Sequence, residues 1–203
     1  NAIMQTMTPW MYGKMKDEKI DEIKGVAYLA LIFVAAMNMF LIVFAPEIIA
    51  VFAPPEFNEA IWVIPPIAMS SVFIFSYDLF SSYEFYYAKT VFVMIASIGG
   101  AILNIILNYI FINKFGYIAA GYTTLICYIL YAAGHYVFMN KICDDQFPGH
   151  RPYELKNLLT IYVLFMTIGF GVMFTYNYFI ARMVIIAILL LIVFICRLTW
   201  LKK

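Results

Sequence analysis

Small and polar residues at helical spacing inside a long apolar stretch are the first candidates for chemistry in this sequence. Asn104 and Asn108 are four residues apart and share one helix face, with Gly100 one turn earlier and Ser97 nearby. Polar side chains are costly in hydrocarbon and usually face protein or a water-filled cavity. The stripe therefore predicts either a helix–helix contact or a cavity wall that offers amides to sugar hydroxyls. The two interpretations are compatible, because a cavity wall must also pack.

Ionisable residues at membrane depth form the second group of candidates. Asp78 is the only carboxylate well within a predicted span, and Lys24 and Lys89 are the nearest cations in the predicted topology. Such acids usually mark substrate or ion pathways, although Asp78 would be merely interfacial if its helix ended early. We expect the substrate cavity to be lined by Asn38, Asp78, Asn104 and Asn108. Glu84 and Lys89 follow on the chain and are predicted to lie at the cytoplasmic mouth.

The sequence gives little support to catalysis. It has 2 histidines, His135 near the end of a span and His150 in a polar loop. It contains neither paired carboxylates at helical spacing, nor a glycine-rich phosphate loop, nor a nucleophile elbow. Cys127, Cys143 and Cys196 lack metal or disulfide spacing and are interpreted as packing residues. We therefore expect a protein that is not an enzyme and has no cofactor and no metal site.

The elements that position these residues are long apolar helices. Hydrophobic residues make up 65% of the chain and charged residues 12%, against roughly 45–50% and 25% in soluble domains. Runs of about twenty apolar residues are long enough to cross a bilayer. The pattern predicts an all-α polytopic membrane bundle with six transmembrane helices, at about 25–44, 60–82, 90–112, 117–139, 157–176 and 180–199. Because the chain opens with Asn1, we interpret it as a fragment of a longer membrane protein.

Before the first span, residues 2–11 are expected to be the end of a helix, and residues 13–24 form a dense charged run. Met15, Ile20 and Ile23 could place this run along the membrane surface as an amphipathic turn or two, although such a run is most often a solvated connecting helix. Pro65 and Pro66 predict a bent or irregular start for the second span.

The basic residues are distributed unequally between the two sides of these spans. Eleven of the 13 fall on one side, and they are Lys14, Lys16, Lys19, Lys24, Lys89, Lys141, Arg151, Lys156, Arg197, Lys202 and Lys203. Only Lys114 and Arg182 fall on the other side. The positive-inside rule therefore predicts a cell-membrane protein with a cytoplasmic C-terminus. The bilayer is the expected partner, and no nucleic-acid partner is expected.

Three stretches carry a resemblance to a known family. Residues 98–108 and 111–121 resemble the hallmark hairpin of Wzx-type flippases of polysaccharide biosynthesis, which belong to the MATE-like superfamily. The family's Pro-Lys-Phe-Gly turn is present except that Asn113 replaces the proline. The stretches 9–12 (PWMY) and 45–49 (APEII) resemble the family in order and spacing. Together they match its C-terminal half over residues 1–141.

The resemblance implies a fold of two six-helix lobes. Residues 1–141 would supply helices of the second lobe, and residues 142–203 a cytoplasmic loop and two additional helices. The implied activity is the flipping of undecaprenyl-pyrophosphate-linked oligosaccharide by alternating access, with a missing N-terminal lobe as partner. A pyrophosphate invites Arg or Lys, yet no basic residue lies deep in any predicted span. Either the missing lobe supplies that charge or Lys89 does so from the cytoplasmic mouth, and we favour the missing lobe.

Two other functions fit the same sequence. One is a cation-coupled multidrug antiporter of the same superfamily, with Asp78 as the coupling carboxylate. The other is a non-transporting scaffold that assembles a polysaccharide export complex.

Overall fold

The computed structural model describes residues 2–188, and this part of the chain is an all-helical bundle without strands. Its helices are α1 (Ala2–Lys16), α2 (Ile20–Val43), α3 (Ala45–Phe52), a 3₁₀ helix (Pro55–Trp62), α4 (Ile64–Tyr86), α5 (Thr90–Phe115), α6 (Ala119–Gln146), α7 (Leu155–Met173) and α8 (Phe179–Ile188). Four of them, α2, α4, α5 and α7, are long and apolar enough to cross a membrane. The predicted all-α bundle is confirmed for the described residues, and these four helices are compatible with a membrane protein.

Two of the six predicted spans, those at about 117–139 and 180–199, are not among these four helices. α6 has 28 residues, a length of about 42 Å, but its tyrosines, threonines and histidine make it less apolar than the other four. It packs between α4 and α5, so protein covers many of these polar groups. The sixth predicted span, about 180–199, begins with α8, but residues 189–203 lie outside the described part, together with Cys196 and Arg197. Six transmembrane helices therefore stay a prediction.

Several predicted helix boundaries were wrong, and the causes are local. The second span does not begin near residue 60, because 55–62 form the 3₁₀ helix and α4 starts at Ile64. Pro65 and Pro66 occupy its first turn, where the missing N–H group is tolerated. α5 continues through the predicted break until Gly116, whose φ of 77° ends the helix. α6 continues to Gln146, well into the predicted loop.

The charged run near the N-terminus does not lie along a membrane surface. α1 ends at Lys16 and α2 begins at Ile20, inside the run. Met15, Ile20 and Ile23 are all buried in the core, with exposed fractions of 2%, 3% and 0%. The alternative of an amphipathic surface segment was wrong because α1 packs on α2 and α4, which cover these apolar side chains in place of lipid.

Contacts between connections define two ends of the bundle. At one end, which we call the basic end, Lys24 forms an ion pair with Glu154, and the rings of Tyr87 and Phe147 lie 6.0 Å apart. At the opposite end, the Trp62 and Tyr176 rings lie 5.4 Å apart, and Arg182 forms an ion pair with Glu47. Connections that the predicted topology places on the same side of the membrane therefore meet at the same end of the bundle.

α4 is the central helix of the bundle. It packs against α1, α2, α6 and α7, and 67% of its most apolar window is buried. α5 packs mainly on α6, and 0% of its window is buried. The groove where α4, α5 and α6 meet contains Ser97, Gly100 and Asn104 of the polar stripe that the sequence indicated on α5.

Candidate functional site

A cavity of about 590 Å³ opens where α4, α5 and α6 meet. Its volume lies within the range of small-molecule sites, about 300–1,000 Å³. We call it the α4–α6 cavity, and it is lined by Ile74, Tyr77, Ser97, Gly100, Ala101, Asn104, Thr124, Cys127, Tyr128 and Tyr131. All of these residues lie in the interior of their helices. The lining combines apolar ring faces with hydroxyl and amide groups, and it contains no charged side chain.

The α5 wall of the cavity is the stripe that the sequence indicated. Ser97, Gly100 and Asn104 line it, and the Ser97 hydroxyl lies 2.7 Å from the Tyr131 hydroxyl. Asn108 Nδ2 donates to Asn104 Oδ1 at 2.9 Å, and the Thr123 hydroxyl donates to Asn108 Oδ1. Asn104 therefore belongs to a cavity wall and Asn108 to the α5–α6 contact, while the binding of sugar hydroxyls at this wall stays a prediction.

Asn104 retains hydrogen-bonding capacity for a ligand. Its Oδ1 accepts one hydrogen bond, from Asn108, and its Nδ2 makes one long contact of 3.6 Å to Cys127 Sγ. A primary amide has two N–H donors and two acceptor lone pairs. One donor and one acceptor of Asn104 are therefore left for a molecule in the cavity, a combination that suits a hydroxyl group.

Tyrosine rings close one end of the cavity. The Tyr77 and Tyr131 ring centroids lie 4.6 Å apart. Both rings also contact the imidazole of His135, at 4.8 Å and 4.6 Å between centroids, and Phe92 of α5 contacts it at 5.3 Å. One layer of aromatic rings therefore separates the cavity from a buried histidine.

His135 forms a buried pair with Glu84. His135 Nδ1 lies 2.7 Å from Glu84 Oε1, and both side chains are 0% exposed. Within residues 2–188, the remaining atoms of the pair, Glu84 Oε2 and His135 Nε2, are buried and have no hydrogen-bond partner. A buried acid–base pair with an orphaned atom on each side is a candidate for proton chemistry.

The predicted cytoplasmic mouth was wrong in its details. Glu84 does not face a mouth, because α4 continues to Tyr86 and α6 covers it with His135. Lys89 is exposed at the N-terminus of α5, and in the described part of the chain it forms no ion pair. Lys89 and Glu84 are linked only through the backbone, where the Lys89 N–H donates to the Glu84 carbonyl at 2.8 Å.

Asp78 does not join the cavity lining. In residues 2–188 neither predicted cation forms an ion pair with its carboxylate, and Lys24 binds Glu154 instead. Asp78 is half-buried, and its backbone carbonyl accepts a hydrogen bond of 2.7 Å from the Ser82 hydroxyl. The alternative of an early helix end was also wrong, because α4 continues for eight residues beyond Asp78.

Asn38 is likewise separate from the cavity. It is buried on α2, and its Nδ2 donates to the Val34 carbonyl at 2.9 Å, within its own helix. Of the four predicted cavity residues, Asn104 alone lines the cavity. The residues that the sequence reasoning missed are aromatic: Tyr128, Tyr131 and His135 recur at helical spacing on α6, which is the signal that could have indicated them.

No family model, no curated protein and no solved structure matches this chain. The geometry of the cavity and of the Glu84–His135 pair therefore carries the functional argument.

The electrostatics at the basic end differ from those of the cavity. The hydrogen bond from the Lys24 ammonium holds the pKa of the Glu154 carboxyl below its usual range. Burial raises the pKa of Tyr153, next to it, above the usual value for a phenol. Charge is thus paired and solvated at the end of the bundle, while the cavity offers neutral polar groups.

Proposed function

We propose that this chain is one lobe of a membrane transporter that carries a lipid-linked oligosaccharide across the bilayer. The α4–α6 cavity is the observation that carries the proposal. It lies in the interior of three long helices and offers the Asn104 amide, the Ser97 and Thr124 hydroxyls and three tyrosines. Sugars present hydroxyl groups and apolar C–H faces, which amides, hydroxyls and tyrosine rings complement.

The resemblance of residues 98–121 to Wzx-type flippases supports the same proposal. In transporters built from two repeats, the substrate site lies near the bilayer midplane between the halves. Asn104 lies midway along α5, and much of the apolar surface of α5 is uncovered by this chain. We infer that an N-terminal lobe forms the opposite wall and supplies the cations for a pyrophosphate, since the lining contains none.

The unequal distribution of basic residues supports a topology for this transporter. The basic end would face the cytoplasm of a cell membrane, together with the C-terminus. α7 and α8 would belong to two helices added to the core of the lobe. The carrier would expose the cavity to each side of the membrane in turn.

Substitution in the cavity tests the proposal in the full-length protein, expressed in cells that lack the native copy. We expect Asn104→Ala to lower the amount of surface polysaccharide while the membrane level of the protein is unchanged. Gly100→Met, which adds a side chain to the cavity, should have the same effect. Asn113→Ala is the matched control, because Asn113 is exposed and bonds only to Tyr109 of its own helix. Normal polysaccharide with both cavity variants would contradict the proposal.

A cation-coupled multidrug antiporter is the second candidate. The observation in its favour is the aromatic lining, because tyrosine faces attract organic cations. Drug efflux from everted vesicles separates the two functions. Efflux that is lost with Tyr128→Ala, while surface polysaccharide is unaffected, would favour the antiporter.

A further inference from the structure

We propose that Glu84 and His135 bind a single exchangeable proton whose occupancy is coupled to the state of the α4–α6 cavity. The proposal rests on the transport function proposed above. It adds the identity of the residues that couple transport to a proton gradient. The observations that carry it are the complete burial of the pair, its orphaned atoms and its position against the cavity.

The burial of the pair favours one protonation state. With no added proton the pair carries one net negative charge, with one proton it is neutral, and with two it is positive. An uncompensated charge is strongly disfavoured in a dry interior. The closed arrangement, in which both side chains are 0% exposed, is therefore the one-proton state, with the proton between Oε1 of Glu84 and Nδ1 of His135.

The surroundings offer no other charge to the pair. Within residues 2–188, His135 is the only basic group within 4.0 Å of the Glu84 carboxylate. Among the described residues, the aromatic rings that pack on His135 are the phenols of Tyr77 and Tyr131 and the Phe92 ring of α5. Two further phenols pack beside the neighbours of Glu84: Tyr12 of α1 on Tyr86, and Tyr153 on Tyr83. The proton itself therefore decides the charge of the pair.

A purely structural role explains the pair less well. A buried polar pair held for packing is expected to have all its atoms satisfied, and replacing such a pair by apolar groups is often neutral for stability. Here Glu84 Oε2 and His135 Nε2 have no partner in the described residues. Two orphaned atoms leave a way for a proton to enter and leave when water reaches the pair.

The cavity provides the route for water and the means of coupling. Tyr131 contacts His135 with its ring and lies 2.7 Å from the Ser97 hydroxyl with its own hydroxyl, at the cavity wall. A substrate that moves the Tyr77 and Tyr131 rings would hydrate the pair. Water then stabilises the negatively charged form of the Glu84–His135 pair. The proton passes to a water molecule and leaves as hydronium. Before the rings can close over it again, the pair must take up a proton from water on the side of the membrane to which the cavity is then open.

Vesicles with an imposed pH gradient provide the test. The full-length protein is reconstituted with undecaprenyl-pyrophosphate-linked oligosaccharide, and the ratio of oligosaccharide between the two leaflets is measured at steady state. Coupling to one proton shifts this ratio by about tenfold per unit of pH difference. We expect this slope for the wild type and no slope for Glu84→Gln or His135→Gln. His150→Gln is the matched control, because His150 is in an exposed loop and should retain the full slope.

The outcomes separate the two proposals. A wild type that moves no oligosaccharide overturns the proposed function. If the wild type equilibrates oligosaccharide between the leaflets but the ratio does not depend on the pH difference, the proton site alone is overturned. A Glu84→Gln variant that retains the slope overturns it as well.

Nitrogen-15 NMR of histidine-labelled protein keeps the inference testable if the variants fail to fold. His150→Gln removes the second histidine signal of this chain. The His135 signal should change when the oligosaccharide is added, with one proton released per protein to a pH indicator. An unchanged signal with substrate bound would overturn the proton site.

Discussion

α4 and α5 follow one another in the chain and have similar lengths, 23 and 26 residues, yet their environments are opposite. The most apolar window of α4 is 67% buried, and that of α5 is 0% buried. α5 is nevertheless the more apolar of the two. In a soluble protein the more apolar helix would be the inner one. Here it is the outer one, the arrangement expected of a helix whose outer face meets hydrocarbon or a further transmembrane lobe.

The comparison extends to the polar residues of the two helices. α4 carries Ser76, Ser81, Ser82 and Glu84 on buried positions. The serine hydroxyls donate to carbonyls of α4 itself, and Glu84 pairs with His135 of α6. α5 turns its polar residues, Ser97 and Asn104 among them, toward α6 and the cavity, and presents the rest of its surface to the surroundings. The polar side chains of α5 therefore mark the cavity wall, whereas α4 contributes Ile74 and Tyr77 to the lining and keeps its buried serines and Glu84 outside it.

The largest effect on stability is expected from a truncation in α4 compared with one in α5. Leu79→Ala removes a side chain that is 2% exposed, and the cavity it leaves should cost about 2–5 kcal/mol, with each kcal/mol lowering Tm by roughly 2–4 °C. Ile105→Ala removes a side chain that is 68% exposed and should change stability by less than about 0.5 kcal/mol. Thermal unfolding in detergent, followed by helical circular dichroism, measures both.

Equal shifts in Tm for these two variants would contradict the assignment of α4 as the inner helix and α5 as the outer one. A large effect of Ile105→Ala that appears only with an N-terminal lobe present would instead locate the contact of that lobe on α5.

The sequence was sufficient for the features that depend on composition and local spacing. Apolar runs predicted the long helices, and the helical spacing of Ser97, Gly100 and Asn104 predicted a wall that the structure contains. The positions of the basic residues predicted which connections meet at each end. These are properties of single segments, which the chain encodes within a few turns of helix.

The features that the sequence did not predict arise from contacts between distant segments. Glu84 and His135 are 51 residues apart, and their pairing depends on the rotation of α4 against α6. The same rotation turns Asp78 away from the cavity. The available signal was that an acid and a histidine lie near the same end of adjacent helices, but it does not define which faces meet.

Two glycines, Gly121 of α6 and Gly100 of α5, test the same difference in packing with an effect on stability of intermediate size. A Cβ on Gly121 would lie 2.9 Å from Pro66 Cγ and 3.2 Å from the Val63 carbonyl, at the start of α4. A Cβ on Gly100 of α5 would meet only the Tyr131 ring, at an ordinary 3.5 Å. We expect Gly121→Ala to destabilise the protein by about 1–3 kcal/mol and Gly100→Ala to be neutral or slightly stabilising.

Thermal unfolding of the two alanine variants measures this difference. A Gly100→Ala variant that is the less stable of the two would show that α5 packs more tightly than the structure indicates, and the open cavity would then be in doubt.

The smallest effect is expected at the basic end, where an exposed ion pair contrasts with the buried Glu84–His135 pair. The Lys24 ammonium lowers the pKa of Glu154, so the folded state binds the Glu154 proton less tightly than the unfolded chain does. The stabilisation is therefore present at neutral pH, above the unfolded pKa of about 4.3, and is lost as the pH falls through the lowered folded value. Glu154→Gln should decrease Tm slightly at neutral pH, by less than Gly121→Ala, because water screens the pair. The difference from the wild type should vanish in acid, whereas a difference that persists at low pH would assign the effect to the Asn157 contact of Glu154 instead of to its charge.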